Sequence, residues 1–136
     1  MSSSEDQGIP PPSALALVLC DAIWTDPGTG KKFLLGCFGA ISAREFPAAH
    51  PILSAYILLT NGRGSKPFRV LIVDVDEDRE PISEINGDVN FPDIRTVVAI
   101  DAVFLGLSFP AAGEYRMQVF VGGEFIIERS ILVLQI

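Results

Sequence analysis

Three aspartates at alternate positions form the clearest polar feature of the sequence. Asp74, Asp76 and Asp78 repeat the spacing of the oxygen ligands that hard cations such as calcium use. An EF-hand loop would need a glycine where Arg79 stands and a glutamate where Ile85 stands. The pattern therefore favours a solvated acidic loop, with a weak calcium site built from the end loops of the fold as the alternative.

Catalytic residue types are sparse. His50 is the only histidine, and no CxxC or HxxxH spacing is present, so the usual zinc ligand sets are missing. A nucleophile and base would have to pair His50 with a serine or a cysteine, but no G-x-S-x-G turn supports such a pair. The sequence predicts a protein with no enzymatic activity and no cofactor.

Two cysteines and one tryptophan could also carry chemistry. Cys20 and Cys37 are too few for a disulfide framework, and we interpret them as two small buried hydrophobic residues. The alternative is that they face each other across a hairpin. Trp24 could serve as a stacking platform at a strand end, but a lone tryptophan in a β-sandwich is more often part of the core.

Length and charge limit the classes of partner. The 136 residues predict one domain over residues 13–136, preceded by a flexible, polar, proline-rich tail over residues 1–12. The net charge of −7 argues against nucleic-acid and anionic-membrane partners, which need basic surfaces. The apolar run before Asp21 is too short to span a membrane, and no basic residue precedes it, so we expect a cytoplasmic protein.

Proline and glycine divide the chain into short apolar runs rich in β-branched and aromatic residues, a pattern typical of an all-β fold. This pattern predicts an antiparallel β-sandwich of seven or eight strands, immunoglobulin-like, with a small closed β-barrel as the alternative. The first two strands are expected at residues 14–25 and 31–42 as a hairpin, followed by a connection at 43–51. The last two strands are expected on either side of the Gly122-Gly123 turn.

A tyrosine near the end of the chain favours the sandwich. Tyr115 follows Gly113 at the start of a predicted strand, as in the tyrosine corner of immunoglobulin-like domains, where the hydroxyl holds the crossing loop. An ordinary buried tyrosine is the alternative. In either case Met117, Val119 and Val121 follow Tyr115 on the core face.

Four segments together resemble a family of short uncharacterised bacterial proteins, a domain of unknown function. These are LCDAIW, LLGCFGAI, EFPAAHPILSAYILL and FPAAGEYRMQVFVGGEFI. The resemblance covers nearly the whole chain from Ala14 onward and implies a stand-alone bacterial domain. It implies no activity, ligand or catalytic residue.

Several strands are apolar on both faces, which is unusual for a sandwich with one core. In the strand predicted at residues 95–109, Val103 and Leu105 lie on one face while Ile100 and Phe104 lie on the other. Bulges or covering loops would explain this pattern, but a subunit interface explains it more simply.

We therefore predict a self-associating structural or scaffold protein, a homo-oligomer that could also bind another protein. A small ligand- or calcium-binding module is the alternative. The interface candidates are Phe120, Leu132, Leu134 and Ile136.

Overall fold

The computed structural model describes residues 10–75 and 80–136. Its ten strands are β1 (Ser13–Cys20), β2 (Ala22–Thr25), β3 (Lys32–Leu35), β4 (Ala40–Ala43), β5 (Ala48–Thr60), β6 (Gly64–Asp74), β7 (Ser83–Phe91), β8 (Val98–Phe109), β9 (Gly113–Val121) and β10 (Glu124–Gln135). Within these two ranges no helix is long and apolar enough to cross a membrane. The all-β prediction is confirmed.

The strands form three sheets. A three-stranded sheet has the order β1-β5-β8, a five-stranded sheet has the order β4-β10-β9-β6-β7, and β2 and β3 form a two-stranded sheet. Buried side chains from both larger sheets form one hydrophobic cluster between them, which is the arrangement of a β-sandwich. The largest of these side chains include Tyr115, Phe91, Phe104 and Phe109.

The predicted number of strands was too low, for a physical reason. The expected strand at 14–25 divides at Asp21, and the expected strand at 31–42 divides at residues 36–39, where Gly36 has a φ of 72°. These breaks let β1 and β4 join different sheets.

A second correction concerns strand direction. Strand β4 pairs with β10 in parallel, so the sandwich is not purely antiparallel. The connection expected at 43–51 is also shorter, since β5 begins at Ala48.

Both predicted hairpins are confirmed. Strands β2 and β3 pair from Ala22–Leu35 to Thr25–Lys32. Their turn is held by the Asp26 carboxylate, which accepts hydrogen bonds from the Gly28 amide and the Thr29 hydroxyl. These bonds lower the pKa of Asp26, that from the Gly28 amide most.

The final hairpin turns at two glycines. Gly122 and Gly123 have φ values of 60° and 81°, and Val121 pairs with Glu124 across them. Two consecutive positive φ values are typical of the two-residue turns whose twist matches a β-hairpin. The two glycines therefore provide a conformation that other residue types rarely adopt.

Strand β9 follows the predicted alternation. Tyr115, Met117, Val119 and Val121 are all buried. The Tyr115 hydroxyl donates a hydrogen bond of 2.6 Å to the carbonyl of Ala111, in the loop before β9. The Ala111 amide donates to the same hydroxyl at 3.3 Å. The hydroxyl thus holds the loop as the tyrosine-corner interpretation predicts, while the immunoglobulin-like appearance of the whole domain stays a prediction.

Candidate interaction surfaces

Only one of the three aspartates of the acidic loop lies among the described residues. Asp74 ends β6, whereas Asp76 and Asp78 lie outside the described residues. Over residues 10–75 and 80–136, no three His, Cys, Asp or Glu residues are grouped so that they could hold a metal ion. A calcium site at this loop stays a prediction.

His50 lies on β5 and packs against an aromatic ring. Its imidazole centroid is 5.7 Å from that of Phe38, and its Nε2 is buried without a hydrogen-bond partner. A general base must hydrogen-bond to the nucleophile that it activates. Ser54, one of the serines nearest in sequence, instead donates to the carbonyl of Asp21 at 3.3 Å. The described residues therefore place no nucleophile on His50.

The outer face of the five-stranded sheet carries a network of charged side chains. The Arg69 guanidinium binds Glu84 through two hydrogen bonds of 3.1 and 3.2 Å. On the neighbouring strands, Arg116 binds Glu114 at 3.2 Å and Glu128 at 2.8 Å. The hydrogen bonds from Arg69 lower the pKa of Glu84. We call these five residues the ion-pair network.

This network covers an apolar side chain. Leu71 lies directly opposite Gln118 on one side and Glu84 on the other, so it shares their outward face. It is nevertheless only 7% exposed. The long side chains around it therefore shield it, as the aliphatic parts of charged residues commonly do.

Three of the four predicted interface residues lie on this same sheet and Ile136 directly follows it, and together they form two separate groups. Phe120 is half-buried, with its ring 5.7 Å from that of Phe125 and 6.0 Å from the Arg69 guanidinium carbon. At the other end of β9, Leu132 lies opposite Glu114. The candidates on the last strand and just after it are exposed: Leu132 by 43%, Leu134 by 46% and Ile136 by 71%. Three of the four candidates thus lie at the surface, and the ion-pair network separates Phe120 from the other three. Their role in an interface stays a prediction.

The outer face of the three-stranded sheet is covered differently. The β2–β3 hairpin lies over it, with the Lys32 ammonium 2.7 Å from the Asp101 carboxylate on β8. Beneath the hairpin, Cys20 is fully buried and Ser54 is only 2% exposed. This cover is a separate segment of chain, whereas the five-stranded sheet uses its own side chains.

The hairpin leaves one end of this face open. Val103 lies opposite Ser54, and Leu105 lies opposite Ile52 on the same outward face. Leu105 is 71% exposed, and Ile52 and Val103 are 49% and 46% exposed. We call these three residues the β8 patch. They adjoin the edge of the sheet, since β5 is the only strand paired with β8 among the described residues.

The hairpin itself presents a second apolar surface, which the sequence analysis missed. Trp24 and Phe33 lie opposite each other, with ring centroids 5.2 Å apart. Trp24 is 51% exposed, so the expectation of a core tryptophan was wrong. The signal was present in the sequence: both faces of this short hairpin are apolar, and one of them must face away from the sheet.

Cys37 is a further correction. It is exposed in the loop after β3, whereas Cys20 is buried at the end of β1, and both are free thiols. The interpretation of two buried hydrophobic residues holds only for Cys20. The glycines on either side of Cys37 in the sequence GCFG interrupt the apolar run and bring it to the surface.

Comparison with known proteins identifies the family. Residues 15–134 match a model described as a family of unknown function (DUF6941), and the chain belongs to this family. The resemblance to a domain of unknown function is therefore confirmed. No curated protein matches the sequence.

Proposed function

We propose that this member of the family is a non-enzymatic structural or scaffold subunit that self-associates through the edge of β8. The observation that carries the proposal is the β8 patch beside a strand edge that no other described strand pairs with. Soluble proteins usually protect such an edge with lysine, proline or a covering segment. Strand β8, VAIDAVFLGLSF, contains no lysine, arginine or proline.

A second copy of this chain is the partner that fits this edge. Two β8 strands related by a two-fold axis would pair antiparallel and join the two sheets into one, with each copy contributing the same surface. Asp101 is the only charged residue in β8, and it already binds Lys32 of its own chain. No unpaired charge of the strand therefore opposes the approach of a second copy.

Burial of apolar surface supplies the driving force. Ile52, Val103 and Leu105 would lie on one continuous outward face next to their counterparts in the second copy. Burying a large aliphatic side chain completely gains roughly 1.5–3 kcal/mol, so these half-exposed side chains gain somewhat less each. The paired strand edges add backbone hydrogen bonds across the two-fold axis.

The charge of the chain supports a protein partner over a nucleic acid. A net charge of −7 repels phosphate groups, while the β8 patch itself carries no charge. The expected cytoplasmic location belongs to the same proposal and stays a prediction.

The test is the mass of the protein in solution, measured by light scattering behind size exclusion over a wide range of concentrations. The native chain should give at least twice the 14.7 kDa of the monomer, and Leu105→Asp should give the monomer. A charge at the centre of a packed interface should raise the dissociation constant by on the order of 100-fold or more. Because Leu105 is 71% exposed, this substitution should leave the monomer folded.

Leu134→Asp is the matched control, since Leu134 is an exposed leucine on the other sheet. It should leave the mass of the native assembly unchanged. If Leu134→Asp separates the copies and Leu105→Asp does not, self-association occurs through the predicted candidates on β10 instead of β8. A native chain that stays at 14.7 kDa at every concentration would overturn the proposal altogether.

A further inference from the structure

Cys20 and Cys37 occupy opposite positions at the base of the β2–β3 hairpin. The hairpin register ends at Ala22–Leu35, and three backbone hydrogen bonds follow it. The Asp21 amide donates to two carbonyls, that of Leu35 at 2.9 Å and that of Gly36 at 3.1 Å, and the Phe38 amide donates to the Leu19 carbonyl at 3.1 Å. In an antiparallel ladder, the bond to Gly36 and the bond from Phe38 flank a pair of residues that share no backbone hydrogen bond.

The geometry of such a pair suits a disulfide bond. Opposite residues without a shared backbone bond have Cα atoms about 4.5 Å apart, within the range of about 4.4–6.8 Å that a disulfide spans. The Gly36 backbone also lies against the Asp21 side chain so closely that a Cβ at residue 36 would collide with its carboxylate. The two segments are therefore in close contact next to the cysteines.

The two thiols differ in a way that assigns them separate roles. Cys37 is exposed, so a small reagent in solution reaches it first. Cys20 is fully buried, and burial raises the pKa of its thiol, with a further increase from the charge of the Cys37 thiolate.

We propose that Cys20 and Cys37 form a site of reversible oxidation, in which a low-molecular-weight disulfide closes a bond between them. The Cys37 thiolate attacks one sulfur of the reagent, breaks its S–S bond and releases one small thiol. The Cys20 sulfur loses its proton and attacks Cys37 Sγ, and the second small thiol leaves. Two electrons and both thiol protons of the protein end on the two small thiols.

This bond would fix the cover of the three-stranded sheet. The segment between the cysteines contains the whole β2–β3 hairpin, so a disulfide would hold both ends of the hairpin together. Closing a loop of this length restricts the unfolded chain and should raise Tm by on the order of 10 °C. The inference goes beyond the proposed function, because it requires only one copy of the chain.

The experiment treats the native protein with oxidised glutathione at low protein concentration and measures intact mass without reductant, followed by a thermal melt. We expect the intact mass of a single chain to fall by two hydrogen atoms and both thiols to be consumed. The Tm should rise, and dithiothreitol should restore it to its starting value. A stable glutathione adduct on Cys37, or a dimer linked through Cys37, would overturn the proposal. A chain that keeps both thiols after this treatment would also overturn the proposal.

Three variants make the result specific. Cys37→Ser changes an exposed residue, and it should abolish the loss of mass while the protein stays folded. Cys20→Ala should stop the reaction at the glutathione adduct on Cys37. Leu105→Asp should oxidise as the native chain does, because the reaction takes place within one chain. The self-association proposal can therefore fail while the oxidation proposal holds, and the oxidation proposal can fail while self-association holds.

Discussion

The two larger sheets of this protein cover their outer faces in different ways. The five-stranded sheet uses its own side chains, since the ion-pair network shields Leu71 to 7% exposure. The three-stranded sheet uses the β2–β3 hairpin, which buries Cys20 and Ser54 but ends before the β8 patch. An additional segment of chain thus protects one part of a sheet completely and leaves the rest uncovered.

Because of this difference, an outward apolar side chain is not always an exposed one. Leu71 and Leu105 both point outward from a sheet, but one is 7% exposed and the other 71%. Polar neighbours on both adjacent strands, Gln118 and Glu84, protect the first, whereas β5 is the only strand paired with β8 over the described residues. Of these two outward leucines, the one at the sheet edge is the more exposed.

The strongest test of this comparison removes the hairpin cover. Replacing residues 22–35 by two glycines should lower the free energy of unfolding by roughly 3–5 kcal/mol, because the apolar surface beneath the hairpin meets water. Urea denaturation measures the loss, and the rate at which a thiol reagent modifies Cys20 shows whether the surface is open. An unchanged urea midpoint with an unreactive Cys20 would mean that the hairpin is not the cover.

A pair of leucine substitutions compares the two faces directly. Leu71→Ala should cost about 2 kcal/mol of unfolding free energy, because it removes a shielded side chain and leaves space beneath the ion-pair network. Leu105→Ala, measured where the protein is monomeric, should change that free energy by no more than about 0.5 kcal/mol. Urea denaturation of both variants gives the difference. Equal costs would contradict the distinction between a covered and an open face.

How far the sequence predicts this molecule depends on the range of the interactions. Alternation in β9 and the turns at Asp26 and Gly122 are local features, and the sequence predicted them correctly. The Tyr115 bond is also local, and it matches one of the two interpretations that the sequence left open. The division of the strand expected at 31–42 depends on which sheet each half joins, and only the tertiary fold determines this.

The candidate surfaces show the same limit. The apolar outer face of β8 was predictable because the strand lacks apolar/polar alternation, but the hairpin that covers part of this face comes from a segment far away in sequence. The position of β8 at a sheet edge depends on strand order, which the sequence left open. The sequence predicted Cys37 as buried, because a short apolar run with a cysteine between glycines has the same composition whether the cysteine is buried or exposed.

The ion pairs of the two faces should also differ in strength. The side chains of Lys32 and Asp101 are 26% and 30% exposed, whereas those of Arg69 and Glu84 are 51% and 33% exposed. A double-mutant cycle with Lys32→Met and Asp101→Asn should give a coupling of about 1 kcal/mol, because the pair is more shielded from water. The same cycle with Arg69→Met and Glu84→Gln should give about 0.5 kcal/mol or less. A reversed order would mean that the hairpin is held by its apolar contacts alone.

The smallest effect concerns acid, and it belongs to the five-stranded sheet. Hydrogen bonds from Arg69 to Glu84 and from Ser130 to Glu114 hold the pKa of each carboxyl below its usual value of 4.5. Each carboxylate therefore contributes stability that is present above the unfolded pKa and is lost as pH falls through the lower folded pKa.

The double variant Glu84→Gln with Glu114→Gln tests this contribution. Between about pH 5 and about pH 3, its urea midpoint should fall less steeply than that of the native chain. If the double variant follows the native curve, the acid sensitivity arises outside the network, and the two outer faces do not differ in their response to pH.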